Sequence, residues 1–365
     1  MGEHAVVYGR PALAAAVDLR LTVRCSPMTE GAGGAVRLDL PSLPHAEELS
    51  WSAVRGYAEA TRESWREYSR QPGPERFRAV RGDDPAHIVK AALGEAAEFL
   101  GEAGPSGAHV RVESCLPIGS GFGSSAATAV GVIAAYLSFR GAFQGTDWDL
   151  ETIERLALEA ERRQHGLPSG IDTATVLMGG LLWARKLPSG QLETERVVLR
   201  SSLLANLRVY DTGTPPEPTG AVVAAVRGRR DADPARHEGL LDRIETAVRT
   251  FRDELAREGA TGGGTGGDTG GDNPARIVQL FRECEACLEE LGVVPEAVRT
   301  VVRQVEAEGG AAKISGAGSL AGPGAGSLLV YHPQPERISG WPFLQPFPFH
   351  PVHLGADGLR LETDA

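Results

Sequence analysis

The sequence predicts an α+β fold in two domains. Three observations carry that prediction. Stretches that alternate with period two are interleaved along the chain with stretches of helical period. A glycine-rich run, Pro117 to Ala127, joins a strand-like stretch to a long helix of small residues. The chain has 365 residues, enough for two or three domains and a sizeable core.

Taken in order, Met1 to Gly9 reads as a turn that follows a strand. Residues 19–25 and Val36 to Leu40 alternate as strands do. Residues 51–80, charged and aromatic, read as helix plus loop. Ala86 to Leu100 carries apolar residues at helical spacing, and Val110 to Val112 reads as a short strand. Ser124 to about Phe139 has the small, apolar composition of a buried helix, and a further helix covers about 149–165. Gly179 to Ala184 and Leu207 to Asp211 read as strands, and 217–258 as helices. Gly259 to Asp272, rich in glycine, threonine and aspartate, reads as a flexible loop. Pro274 to Leu291 and Pro295 to Glu308 form a helix pair, Ser327 to Tyr331 a strand, and Gly358 to Glu362 a closing strand. The expected boundary lies near 195, giving domains 1–195 and 196–365.

A net charge of −11 argues against nonspecific nucleic-acid binding, which needs a basic face. An anionic substrate must then be met by local positive charge, backbone amides or a metal. Only Lys90, Lys186 and Lys313 among 37 basic residues are lysines, so candidates for a catalytic lysine are few. Cys25, Cys115, Cys284 and Cys287 suggest no disulfide framework, and Cys284-x-x-Cys287 reads as helix packing rather than half of a zinc site. The longest apolar stretch, Ala126 to Leu137, is too short to span a bilayer. A cytoplasmic protein without membrane or nucleic-acid partners is expected.

The strongest chemical signal is Pro117-x-Gly119-x-Gly121-x-Gly123-Ser124-Ser125-Ala126-Ala127. Glycines allow close approach of backbone to phosphate, and successive amides form an anion nest. The helix that follows aims its N-terminal amides at the same point. The serine hydroxyls can cap the helix, bind phosphate or reach Mg²⁺. The pattern fits neither the Walker-type loop nor the dinucleotide-binding glycine motif.

This run resembles the second motif of the GHMP kinases. Gly2-Glu-His-Ala-Val-Val-Tyr-Gly9 resembles their first motif, and Lys313-Ile-Ser-Gly-Ala-Gly318 the start of their third. The three stand in family order and cover most of the chain. The resemblance implies a ribosomal-S5-like N-terminal domain and a ferredoxin-like C-terminal domain, with ATP and substrate in the cleft between them. Glu161-x-x-x-His165-Gly-x-Pro168-Ser169-Gly170-Ile171-Asp172 is similar to a run in the mevalonate kinase branch.

That resemblance implies transfer of the γ-phosphoryl group of Mg·ATP to mevalonate. Asp172 would orient or deprotonate the hydroxyl, and Glu161 with Ser124 or Ser125 would hold Mg²⁺. Positioning and charge neutralisation are most of what phosphoryl transfer requires. Pro117, Gly119, Gly121, Gly123, Ser124 and Ser125 would cradle the triphosphate, and Gly316, Ala317 and Gly318 would close on it. Glu3, His4, Gly170, Thr212 and Thr219 are the expected substrate contacts. His4 has a second reading as a buried structural histidine, and His165 reads as a structural turn residue rather than a base. Another GHMP acceptor, such as phosphomevalonate, and a non-catalytic nucleotide-binding homologue are the rival readings. A homodimer is left open.

Two departures from the family pattern stand out. The family places a strand and a lysine ahead of its Gly-Glu-His motif. The expectation is that these lie upstream of Met1 or that another group takes the lysine's place. The third motif is spread over Gly316 to Gly326 instead of being a compact run of glycines, which lengthens its loop.

Overall fold

The computed structural model describes residues 1–28, 34–101, 107–142, 149–199, 203–256 and 273–362. The glycine-rich segment 259–272, expected as a loop, lies outside the described residues.

Eleven strands are present among them: β1 (Pro11–Ala15), β2 (Leu21–Pro27), β3 (Ala35–Leu40), β4 (His45–Ser50), β5 (Ala108–Ser114), β6 (Leu181–Lys186), β7 (Leu192–Val197), β8 (Leu207–Asp211), β9 (Ala311–Ile314), β10 (Ser327–Tyr331) and β11 (Phe349–His350). The helices are α1 (Trp51–Arg70), α2 (Pro74–Arg81), α3 (His87–Phe99), α4 (Ser124–Phe139), α5 (Leu150–His165), α6 (Ile171–Met178), α7 (Thr219–Ala232), α8 (Pro234–Ala256), α9 (Pro274–Glu290) and α10 (Glu296–Ala307).

These elements form two compact units. The first gathers Met1–Asp18, Pro117–Phe122 and Gly179–Ala356; the second gathers Leu19–Leu116, Gly123–Met178 and Asp357–Ala365. The units interleave along the chain. Residues 1–18, 117–122 and 179–195, which a cut at 195 places with the N-terminal half, pack with the C-terminal half. The cause is core composition: Leu13, Leu181 and Trp183 share one apolar cluster with Leu240, Phe251 and Phe281 of α8 and α9.

The second unit is a four-stranded sheet in the order β2-β5-β3-β4, with helices packed on it. Helix α1 starts where the Ser50 hydroxyl accepts from the Ala53 amide at 3.1 Å, a side-chain N-cap. Asp149 caps α5 in the same way through the Thr152 amide. Helix α4 has no side-chain cap; Gly123 precedes it in the left-handed region at φ 69°. Its small residues let it lie close to the sheet, since a Cβ on Gly131 would stand 2.8 Å from Val23 Cγ2.

The first unit holds a three-stranded sheet, β1-β6-β7, and a four-stranded sheet, β11-β8-β10-β9, with α7 to α10. Cys284 and Cys287 are buried in its core, where burial lifts their thiols to about 12 and about 11.

Most expected elements are present with bounds shifted by a few residues. The closing strand expected over 358–362 is not formed. The tail's strand is β11, which takes the free edge of β8 through Phe349↔Tyr210 and His350↔Val209. Leu361 is left exposed, and Leu359 makes only one backbone bond, to the Leu177 carbonyl. Alternation alone does not make a strand; pairing with a neighbouring strand does.

Candidate active site

In the second unit four polar side chains gather at the start of α4. Ser125 stands in the first turn of that helix, with its Oγ 2.8 Å from His165 Nε2 at the end of α5. One turn earlier on α5, Glu161 places Oε2 3.7 Å from the same ring nitrogen. Glu161 is 2% exposed, and its Oε1 has no hydrogen-bond partner. Burial, reinforced by the charge of Asp172, pushes its carboxyl up to about 8, against a hydrogen bond from Ser125. Burial holds His165 down to about 4, with Arg81 and His87 adding to the effect, so its ring is neutral at pH 7.

Asp172 lies in the first turn of α6. Ser169 and Gly170 start that helix, with the Ile171 amide donating to Ser169 Oγ at 3.3 Å and the Ala174 amide to the Gly170 carbonyl at 3.0 Å. A Cβ on Gly123 would stand 3.9 Å from Asp172 Cβ, so the carboxylate is set beside the uncapped N-terminus of α4. The surrounding protein raises the Asp172 carboxyl above its ordinary range. The side chain remains open to solvent, which limits that push.

A buried carboxylate oxygen without a partner, beside a second carboxylate, is costly unless a cation or proton meets it. The donor set here, Glu161 carboxylate and Ser125 hydroxyl with Asp172 adjoining, is all oxygen. Such a set suits a hard divalent ion such as Mg²⁺. Another acidic group, His45, Glu47 and Asp84, is already served by the Lys90 ammonium at 2.8 Å from Glu47 and 2.6 Å from Asp84.

In the first unit the glycine run and the third motif pack backbone against backbone. Gly121 has φ 79°, and a Cβ there would stand 2.8 Å from the Ser315 carbonyl oxygen; one on Gly316 would stand 3.5 Å from Gly121 Cα. No other residue type fits position 121. Ser120 Oγ donates to Asp211 Oδ2 at 2.9 Å, and the Ser327 amide donates to the Ser120 carbonyl at 2.9 Å. Thr212 Oγ1 donates to the Gly326 carbonyl at 2.7 Å and accepts from the Ala325 amide at 2.9 Å. The lengthened loop folds back over this segment, with Ser319 Oγ donating to Glu217 Oε2 at 2.8 Å.

The expected residues thus fall into two groups. Gly123, Ser124, Ser125, Glu161, Gly170 and Asp172 are in the second unit, and Glu3, His4, Pro117, Gly119, Gly121, Thr212, Thr219, Gly316, Ala317 and Gly318 in the first. The glycine run contributes to both, because the chain passes between units at Phe122 and Gly123. Thr219 is exposed at the start of α7, and Thr212 is buried with its hydroxyl engaged.

Glu3 and His4 are engaged as well. Glu3 Oε1 accepts from Lys313 Nζ at 2.5 Å, and His4 Nε2 stands 2.9 Å from the Ala317 carbonyl oxygen. The sequence reading missed Ser120 and the pairing of His165 with Ser125. The second had a signal, since His165 follows Glu161 by four residues and shares its face of α5.

The N-terminus of α4, preceded by Gly123, thus has beside it Ser125 of its own first turn, Glu161 of α5 and Asp172 of α6. The profile of the GHMP kinases N terminal domain matches residues 87–180, so the chain carries a GHMP kinase N-terminal domain. Among similar proteins, the mevalonate kinase of Thermococcus onnurineus is 29% identical, with 99% of this chain and 95% of that protein covered. The mevalonate kinase of Candida albicans is 28% identical over 70% of this chain; the match spans 62% of that protein's length. The crystal structure of the Methanococcus jannaschii mevalonate kinase shares the fold at a TM-score of 0.66 and 18% identity, with 97% of this chain and 93% of that chain covered.

Proposed function

We propose that this protein phosphorylates the primary hydroxyl of mevalonate with ATP, giving 5-phosphomevalonate and ADP. The observation that carries the reading is the acid pair at the N-terminus of α4. Glu161 is buried with an oxygen unpartnered, and Asp172 stands solvent-accessible beside Gly123. The mevalonate kinases similar to this chain supply the choice of acceptor.

Glu161 and Ser125 would hold Mg²⁺, which when bound would neutralise charge on the phosphates. The amides of Gly119 to Phe122 and of Gly316 to Gly318, all in the first unit, receive the triphosphate, an anion-binding use of loop amides. Asp172 orients the acceptor hydroxyl and takes its proton as the new O–P bond forms. The bond from the γ-phosphorus to the β,γ-bridging oxygen breaks, and that oxygen leaves on ADP. His165, neutral and bonded to Ser125, fixes the hydroxyl rotor. The four cysteines, all free, suit a reducing cytoplasm.

A coupled ADP-release assay across mevalonate, phosphomevalonate, homoserine and galactose tests the reading. Mevalonate should give the highest kcat/KM. Turnover confined to one of the other three would keep the kinase and replace the acceptor.

A further inference from the structure

We infer that Lys313 is a positioning residue that, through Glu3 and His4, holds the Gly316–Gly318 segment where it meets the ATP phosphates. The inference rests on the reading above that this segment receives those phosphates.

Two adjacent residues of the first motif are tied to two residues of the third. Lys313 is 0% exposed, and its ammonium donates to Glu3 Oε1 at 2.5 Å and to the Ile314 carbonyl at 2.6 Å. Four residues on, the Ala317 carbonyl lies 2.9 Å from His4 Nε2. The residues between these ties, Ser315 and Gly316, are the ones packed against Gly121. The staple therefore fixes the part of the third motif that abuts the phosphate loop.

Its cost argues for a purpose beyond stability. His4 has φ 58°, a conformation that residues with a Cβ rarely adopt. A buried Lys–Glu pair must repay the desolvation of two charges, and an apolar pair of similar volume commonly stabilises a fold at least as well. The ion pair does what an apolar pair would not: it fixes the direction of one carboxylate and, through it, the backbone that aims His4. Burial by itself would raise the Glu3 carboxyl, but Lys313, the Met1 ammonium and hydrogen bonds together bring it to about 2, so Glu3 is ionised throughout the physiological range.

The test uses Lys313→Met, His4→Ala and the double variant Lys313→Met/Glu3→Gln, with three readouts: melting temperature, ATP affinity by calorimetry, and the KM of each substrate. Lys313→Met leaves the largely shielded Glu3 carboxylate with only the Met1 ammonium, 3.8 Å away, and should melt roughly 10 °C lower. The double variant removes that charge and should recover most of the melting temperature. The inference requires that it does not recover ATP binding. Both Lys313 variants and His4→Ala should bind ATP about tenfold more weakly, as expected for about 1.4 kcal/mol of lost preorganisation, with acceptor KM within about twofold of wild type. Should Lys313→Met not fold, the double variant and His4→Ala decide.

Wild-type ATP affinity in the double variant would overturn the inference and leave the pair a stabilising contact only. A raised acceptor KM with unchanged ATP affinity would also overturn it, assigning Glu3 and His4 to the acceptor. If the wild-type protein itself binds no ATP, the failure lies in the phosphate-binding reading and not in the staple.

Discussion

Two buried glutamates in this molecule have opposite states. Glu161 in the second unit is 2% exposed, has an oxygen with no partner, and has its carboxyl pushed up to about 8. Glu3 in the first unit is also largely shielded, yet it pairs with Lys313 and is held at about 2. Burial opposes the charged form of both. The difference is the neighbouring charge: Glu3 has Lys313 and the Met1 ammonium beside it, whereas Glu161 has a second carboxylate, Asp172. A buried acid already satisfied by its own protein is part of the scaffold, whereas one left unsatisfied at a helix N-terminus is waiting for a ligand.

The sharpest way to break that contrast is at Asp172. Asp172→Asn keeps size and most hydrogen bonding and removes charge and basicity. Turnover should fall by roughly a hundredfold or more, the range for losing a positioned acid–base group. Removing the charge also relieves its repulsion of Glu161, so the melting temperature should hold or rise. Melting temperature and kcat measured on one preparation decide the matter: a folded variant with near wild-type kcat removes Asp172 from the mechanism, and a large melting loss makes it a scaffold residue like Glu3.

A smaller effect separates the two serines that the sequence left equivalent. Ser125 Oγ faces His165 and Glu161, whereas Ser124 contributes its carbonyl to a bond from Thr128 Oγ1 at 2.8 Å. Ser125→Ala should raise the Mg²⁺ concentration needed for half-maximal rate by about tenfold, the loss of one charge-assisted contact. Ser124→Ala should change it by less than about threefold. The reverse order would move the metal site to Ser124.

How much of this was legible follows from what each motif demands of the chain locally. The glycine run and α4 were readable because glycine spacing and the small residues after Ser125 dictate a loop and a buried helix without any distant partner. Glu161 and Asp172 stood out as a spacing within twelve consecutive residues, in which His165 read only as a turn residue. The tie between Glu3 and Lys313 joins residues 310 apart in sequence, and no local pattern announces it. The same holds for Ser120, whose hydroxyl finds Asp211 across 91 residues. The false closing strand at 358–362 has the same origin, because strand pairing depends on which edge is vacant, and β11 takes the edge of β8.

The smallest expected effect uses the pH dependence of stability and sets two acids of one unit against each other. Glu3 and Glu285 both lie near Lys313. Glu285 is 0% exposed; its Oε2 accepts from the Ile314 amide at 3.0 Å, and its Oε1 has no partner. Burial raises its carboxyl to about 8, with the Ile314 amide and Lys313 opposing. In the unfolded chain both acids titrate near the ordinary value of 4.5.

Between pH 4.5 and 8 the folded state keeps the Glu285 proton that the unfolded state has lost, so stability falls as pH rises through that window. Glu3 works in the other direction: its contribution is full above about 4.5 and is lost as pH falls towards about 2. Glu285→Gln, which stays neutral at every pH, should flatten the decline between pH 5 and 8 and leave the acid limb alone. Glu3→Gln should flatten the acid limb and leave the other unchanged. Chemical denaturation of wild type and both variants at half-unit pH steps measures the two slopes. Identical profiles for Glu285→Gln and wild type above pH 5 would mean that Glu285 is ionised in the folded protein. Lys313 would then serve two carboxylates, and Glu285 would join Glu3 among the satisfied acids of the first unit.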